Sequence, residues 1–338
     1  MRLIDVQKRI VPDILEVLHK RYRILQFIRS SQPIGRRSLA QAIDLTERVL
    51  RKETDFLKNQ GLLHFSSVGM RLSSDGEQVL GKMDEFMRHW LGLTELEQRL
   101  QQRFAVREVI IVPGDSTQSP WIKHDLGRAA ALKLQQTARE NWIVSVAGGT
   151  TMAAIAEALT PHPVLKTLHY VPARGGLGED VENQASTICS LMAARTGGHY
   201  RLLHVPDQLS KEAYDSLLED EQIREIVELI RSSSIVLHGI GEATTMAKRR
   251  KADEAFLQKL KDEEAVAEAF GYYFNSEGKI IHKIQTIGLK LQDLKQAAHV
   301  IAVAGGRAKA QAILAFLKQG MHDVLITDEG AAREMLAV

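Results

Sequence analysis

At 338 residues the chain is long enough for a small domain joined to a large one, and its 44% hydrophobic and 25% charged content excludes a disordered or fibrous protein. A formal net charge of +2 rules out a basic excess spread over the whole chain, so a nucleic-acid role must rest on local clusters. The single cysteine, Cys189, excludes an intrachain disulfide and suits a reducing compartment.

Met1 to Asp5 alternates charged and apolar residues, without the apolar core and small-residue cleavage site of a signal peptide. No apolar run reaches the length of a membrane span, so a cytoplasmic protein without membrane contact is expected. From Val6 to about Leu91 the pattern is helical. Arg23 to Arg29 places Ile24, Leu25, Phe27 and Ile28 inward, and Ser30-Ser31-Gln32-Pro33 ends that helix because proline cannot extend it. Arg36 to Ala42 follows as a short second helix, Ile43-Asp44-Leu45 as a tight turn, and Thr46 as the cap of a third helix to about Asn59. Two short helices joined by a tight turn form a helix-turn-helix.

The third helix is expected to carry Glu47, Arg48, Arg51 and Lys52 on one side and Val49, Leu50, Phe56 and Leu57 on the other. In such a motif the start of this helix enters the major groove, where Arg48 and Arg51 can make paired hydrogen bonds to guanine. Arg36, Arg37 and Ser38 open the second helix, where amides and positive charge face phosphate. Gly61 to Phe65 and Met70-Arg71-Leu72 flank Ser66-Ser67-Val68-Gly69 as a wing hairpin, from which Arg71 can reach the backbone or minor groove. The order of these parts specifies a winged helix-turn-helix, with operator DNA as partner and a domain spanning residues 1–90.

Gly76 to Arg103 is charged and helix-favouring, with Leu80, Met83, Phe86, Met87 and Trp90 at helical spacing. That stripe suits a packing face, and as an oligomer face it would set two winged helices on adjacent half-sites, in a dimer or, on DNA, a tetramer. Beyond Arg107, runs rich in Val and Ile end in glycine or proline and alternate with helices. They are Val109 to Val112, Ile143 to Ala147, Leu168 to Val171, Leu202 to Val205, Ile235 to Ile240, Val300 to Ala304 and Val324 to Thr327. The pattern predicts an α/β domain over 91–338 with a mainly parallel sheet covered on both faces. Gly271 to Ile284, around Asn275-Ser276-Glu277-Gly278, reads as an antiparallel hairpin beside it.

Ligands of such sheets sit at the carboxyl ends of the strands, and here three of those loops are rich in glycine. Gly148-Gly149-Thr150-Thr151 leads into a helix whose N-terminal amides suit an anion. Gly305-Gly306-Arg307-Ala308-Lys309 is expected to repeat that geometry with an added charge, and Pro172-Ala173-Arg174-Gly175-Gly176-Leu177-Gly178 supplies a third loop. None has Rossmann dinucleotide or P-loop spacing, so no cofactor is expected. Together they point to a phosphate-bearing ligand.

These loops, together with His238-Gly239-Ile240-Gly241-Glu242-Ala243, Glu268 to Asn275 and Thr327-Asp328-Glu329-Gly330, closely resemble the SorC/DeoR-type sugar-binding regulators. Pro33-Ile34-Gly35-Arg36-Arg37-Ser38-Leu39 extends the resemblance into the N-terminal half. It implies a Rossmann-like domain related to sugar-phosphate isomerases, fructose 1,6-bisphosphate as inducer, and repression of a central glycolytic operon. It also implies site roles. Thr150, Thr151 and Lys309 would hold one phosphate, Arg174 and Gln184 would lie in the polar loop between, Arg249 would meet the other phosphate, and Glu268 would bond sugar hydroxyls. Arg250 is an equally basic neighbour of Arg249.

The rival reading is an isomerase-like enzyme fused to a DNA reader, which needs a general base. Glu268, Asp115, Glu179 and Glu242 are the available carboxylates, each equally suited to accepting hydroxyls or capping helices. His238 in an apolar strand and Cys189 between Ile188 and Leu191 read as core residues. The pattern contains neither a metal-ligand cluster nor a nucleophile-base pair, so no catalytic residue is expected. A purely structural oligomerisation domain would leave the three glycine loops without a purpose.

Overall fold

The computed structural model describes Ile10 and residues 12–43, 45–177 and 180–337. They form two compact units divided between Thr94 and Glu95, a few residues beyond the expected boundary.

The N-terminal unit orders helices α1 (Pro12–Ser31), α2 (Arg36–Ala42) and α3 (Glu47–Asn59), strands β1 (Leu63–Ser66) and β2 (Gly69–Leu72), and helix α4 (Ser74–Trp90). Ile24, Ile28, Leu39, Leu50, Leu80 and Met87 are fully buried and make its core. Thr46 caps α3 by accepting from the Val49 amide at 3.3 Å. The wing is an antiparallel hairpin with Leu63 opposite Leu72 and Ser66 opposite Gly69.

The inner face of α3 differs from expectation. Leu50, Glu53, Thr54 and Leu57 are buried, whereas Val49 and Phe56 stay 37% and 39% exposed. Phe56 lies beside that stripe, and the Arg21 guanidinium, paired with Glu53 at 2.8 Å, covers its ring at 3.6 Å. The long apolar stripe also divides. The helix breaks at Leu91-Gly92 before α5 (Leu93–Phe104), and Leu80 and Met87 are spent inside the N-terminal unit while Phe86 faces outward.

The C-terminal unit is built on a seven-stranded sheet, order β3-β13-β12-β7-β4-β5-β6, in which every pairing is parallel. Its strands are β3 (Glu108–Val112), β4 (Ile143–Val146), β5 (His169–Pro172), β6 (His199–Tyr200), β7 (Ile235–His238), β12 (His299–Val303) and β13 (Val324–Asp328). Between them run helices α6 (Ile122–Thr137), α7 (Thr150–Ala158), α8 (Ala185–Thr196), α9 (Lys211–Glu219), α10 (Glu221–Arg231), α11 (Ala243–Arg249) and α12 (Glu254–Asp262). Helices α13 (Ala310–Leu317) and α14 (Glu329–Ala337) complete the set. Val144, Val146, Leu237 and Ile301 from the sheet meet Leu126, Ile155 and Ile188 from the helices in one core.

The expected hairpin belongs to a larger antiparallel sheet, order β11-β10-β9-β8. It contains β8 (Gly241–Glu242), β9 (Ala265–Ala269), β10 (Tyr272–Asn275) and β11 (Ile280–Lys283). One expected strand is absent. Leu202 to Val205 is irregular, and the edge strand is His199–Tyr200. Leu203 and Val205 are still buried, but the segment's backbone bonds the Gly176 loop, with Gly176 N donating to Val205 O at 3.0 Å.

Candidate functional site

The connections from β4 run toward β5 and β6, whereas those from its neighbour β7 run toward β12 and β13. Strand order therefore reverses between β4 and β7, and a crevice opens outside their carboxyl ends. There lies a cleft of about 930 Å³, open solvent included. Gly148, Gly149, Thr150, Thr151, Arg174, Gly175, Leu177, Gln184, Arg249, Glu268 and Lys309 all line it. Gly176 does not, because it pairs with the segment around Val205, and Gly178 lies outside the described residues.

Two helix N-termini meet at the cleft. Helix α7 starts from Gly149 at φ +117°, and α8 starts from Gln184; neither has a side-chain cap. Their first amides have no acceptor within the helix, so positive ends are presented to the cavity. Gly149 N donates to Asn183 O at 2.8 Å and ties the two starts together. A Cβ on Gly148 would stand 2.9 Å from Asn183 O, so this approach requires glycine. The second N-terminus was not foreseen, since Gln184-Ala185 carries no capping signal.

The Lys309 loop departs from expectation. The amides of Gly306, Arg307 and Ala308 are taken by Asp328 Oδ2 (2.6 Å), Asp115 Oδ1 (3.1 Å) and Thr117 Oγ1 (3.3 Å). These three amides are not open to a ligand, and of this loop Lys309 alone lines the cleft. Its Nζ donates to Ile240 O at 3.3 Å. Burial, then the charges of Lys123 and Arg249, hold the Lys309 ammonium below its ordinary pKa.

Beside the cleft, four side chains close a ring of alternating charge. Arg174 Nη2 meets Asp207 Oδ1 at 2.7 Å, and Asp207 Oδ2 accepts from Arg250 Nε at 2.8 Å. Glu268 Oε1 accepts from Arg250 Nη2 at 3.0 Å, from Arg174 Nη1 at 3.2 Å and from the Gly271 amide at 2.8 Å. Burial alone would raise the Glu268 pKa, but the charges of Arg250 and Arg174 outweigh it and hold the carboxyl below its usual range. The ring separates the two candidate arginines. Arg250 is buried within it, whereas Arg249 lines the cleft without an ion pair to any described residue. Asp207 was missed, because an Asp after Pro206 in an irregular segment carries no sequence signal.

The candidate general bases are otherwise occupied. Asp115 Oδ1 accepts from the Thr117 and Arg307 amides, and Glu242 caps α11 through the Thr244 and Thr245 amides. Glu179 lies outside the described residues. His238 packs between Phe270 and Phe316, and burial pushes its pKa down to about 4. Cys189 is fully buried, which pushes its thiol pKa up.

In the N-terminal unit Arg37, Ser38, Thr46, Glu47, Arg48, Arg51, Lys52 and Arg71 are all exposed. Arg48, Arg51 and Lys52 share the outer side of α3 and form no ion pair with a described residue, while Arg37 stands 3.5 Å from Glu47. Arg36 is less available than expected. It pairs with Asp55 and lies 4.8 Å over the Phe65 ring, bracing the second helix against α3 and the wing.

Residues 88–337 match the family described as "Putative sugar-binding domain", and residues 17–87 match the "CggR N-terminal DNA binding domain". The chain is 52% identical over 336 residues to the central glycolytic genes regulator of Priestia megaterium, covering 99% of this chain and 98% of that one. To the protein of the same name from Bacillus subtilis it is 49% identical, with the same coverage. A crystal structure of a SorC-family transcriptional regulator from Enterococcus faecalis matches with TM-score 0.67 and 43% identity, over 72% of this chain and 99% of that one. The full-length sorbitol operon regulator of Klebsiella pneumoniae, at 18% identity, shares the fold over 96% of this chain and 99% of its own, with TM-score 0.68. The chain thus joins a DNA-reading winged helix to a sugar-binding α/β domain, and it belongs to the SorC/DeoR-type family of sugar-binding transcriptional regulators.

Proposed function

We propose that this regulator represses a central glycolytic operon in the cytoplasm and is released or remodelled by fructose 1,6-bisphosphate, which it binds without converting it. The observation that carries this reading is the mixed chemistry of one cleft. Two helix N-termini, Lys309 and Arg249 offer positive potential, and Glu268 offers an acceptor. Thr150, Thr151 and Lys309 hold one phosphate, Arg249 meets the other, Glu268 accepts from sugar hydroxyls, and Gln184 and the Arg174 loop frame the ligand between. On the DNA side Arg48 and Arg51 read bases, while Arg36, Arg37, Ser38, Lys52 and Arg71 meet the backbone. The protein acts as a homo-oligomer, a dimer with a tetramer on DNA, so that two winged helices address adjacent half-sites.

An inducer acts only through unequal affinity for free and DNA-bound protein, and linkage makes the two effects equal in size. Operator affinity across a fructose 1,6-bisphosphate titration, with a parallel assay for turnover of the sugar, tests the reading. The expected result is a change in operator affinity or in oligomeric state on DNA, with no product formed. Unchanged operator binding and oligomeric state, or steady conversion of the sugar, would overturn it.

A further inference from the structure

We infer that Asp207 and Arg250 are positioning residues for sugar recognition, which fix Glu268 so that one carboxylate oxygen is held for a ligand hydroxyl. The inference rests on the sugar-phosphate reading of the cleft.

Members of the charged ring come from four separate segments: the loop after β5, the irregular stretch after β6, the end of α11 and strand β9. Side chains of all four are between 2% and 11% exposed. Burying two such ion pairs is a poor route to stability, because desolvation offsets most of the Coulombic gain. What the ring does supply is geometry. All three donors to Glu268 converge on Oε1, which leaves Oε2 without a partner among the described residues on a side chain that lines the cleft. With its pKa held down, the carboxylate can only accept, so this wall takes an O–H and repels phosphate. Asp207 and Arg250 do not line the cleft. Asp207 reaches Glu268 only through the arginines, and its amide donates to Gly176 O at 2.9 Å, joining the ring to the loop that borders the site. The irregular path of Leu202 to Val205 is what delivers Asp207 to the ring.

The test uses the full-length protein and two ligands titrated calorimetrically: fructose 1,6-bisphosphate, and hexane-1,6-diol bisphosphate, which has two phosphates and no hydroxyl. The variants are Asp207→Asn, Arg250→Lys and Glu268→Gln. Lysine keeps the charge of Arg250 but cannot span Asp207 and Glu268 with a rigid fork. For Asp207→Asn and Arg250→Lys, sugar bisphosphate affinity should fall roughly tenfold or more, the value of a hydrogen bond to a charged group. Affinity for the diol bisphosphate should hold within about twofold, since Thr150, Thr151, Lys309 and Arg249, proposed to hold its phosphates, lie outside the ring. Adding Asp207→Asn to Glu268→Gln should cost no more than Glu268→Gln alone, because both act through one oxygen. Should Asp207→Asn fail to fold, Arg250→Lys carries the same comparison, with ligand-free operator affinity reporting the folded state. Equal losses on both ligands, no loss on either, or additive losses in the double variant would overturn the inference. A parent protein that binds neither ligand would instead overturn the sugar-phosphate reading, and this inference with it.

Discussion

Replacing Arg250 with alanine removes the cation that Asp207 and Glu268 share at 2.8 and 3.0 Å, in a site where its side chain is 2% exposed. Breaking a buried ion pair by deleting one partner costs about 3–5 kcal/mol. Arg174 still bridges both carboxylates, which favours the lower end, about 3 kcal/mol. Alanine at Arg249 removes a half-buried side chain without an ion pair to a described residue, so stability should change by no more than about 0.5 kcal/mol. Ligand binding should respond differently. If Arg249 meets a phosphate, its loss forfeits a charge-assisted bond worth about 1.5–3 kcal/mol, or roughly ten- to a hundredfold in affinity. Denaturant unfolding measures the first effect, and calorimetric titration with fructose 1,6-bisphosphate and fructose 6-phosphate measures the second. Arg249→Ala should weaken the bisphosphate much more than the monophosphate. Destabilisation by Arg249→Ala equal to that by Arg250→Ala, or equal losses on both ligands, would refute the division of labour.

Arg51→Ala should cost about 1–3 kcal/mol on the operator and relax discrimination, whereas Arg36→Ala, which also loses Asp55 and Phe65, should weaken all DNA more evenly and lower stability. Binding isotherms on operator and random DNA decide this, and equal losses on both for Arg51→Ala would sink the base-reading assignment. Effector binding should take up a proton at alkaline pH. Lys309 is held below its ordinary 10.5 in the free cleft, a phosphate beside it restores the charge, and affinity should therefore fall as pH rises through that window. Calorimetry in buffers of different ionisation enthalpy reads the uptake, and proton release would contradict it.

Periodicity located most of the fold because burial follows it. Runs of Val and Ile that end at glycine or proline became parallel strands at 108–112, 143–146, 235–238, 299–303 and 324–328. The same logic failed at Leu202 to Val205, where the apolar residues are buried but the backbone bonds a loop rather than a neighbouring strand. An apolar run reports burial, not the partner of its backbone. Thr46 was legible because a cap is a local interaction. Phe56 was misplaced because its cover, Arg21, lies far away in sequence and no spacing rule connects them.

The cleft shows the same limit one level up. Glycine loops at strand ends announce themselves, since close backbone approach requires residues without a Cβ, and Gly148 beside Asn183 is such a case. Charge, by contrast, is specified only by what surrounds it. Arg249 is the last residue of α11 and Arg250 is its C-cap, and the two adjacent side chains leave the backbone toward different surroundings. One turns into the cleft and the other into the ring with Asp207 and Glu268, a distinction set wholly by segments far away in sequence. The Lys309 loop makes the point in reverse. Its glycines promised open amides, but Asp115, Thr117 and Asp328 claim them, so the sequence signal for a phosphate loop there records a close packing contact and a single lysine. The uncapped helix starts at the cleft are instead those of α7 and α8, and that end of the cleft depends on the approach of those two helices.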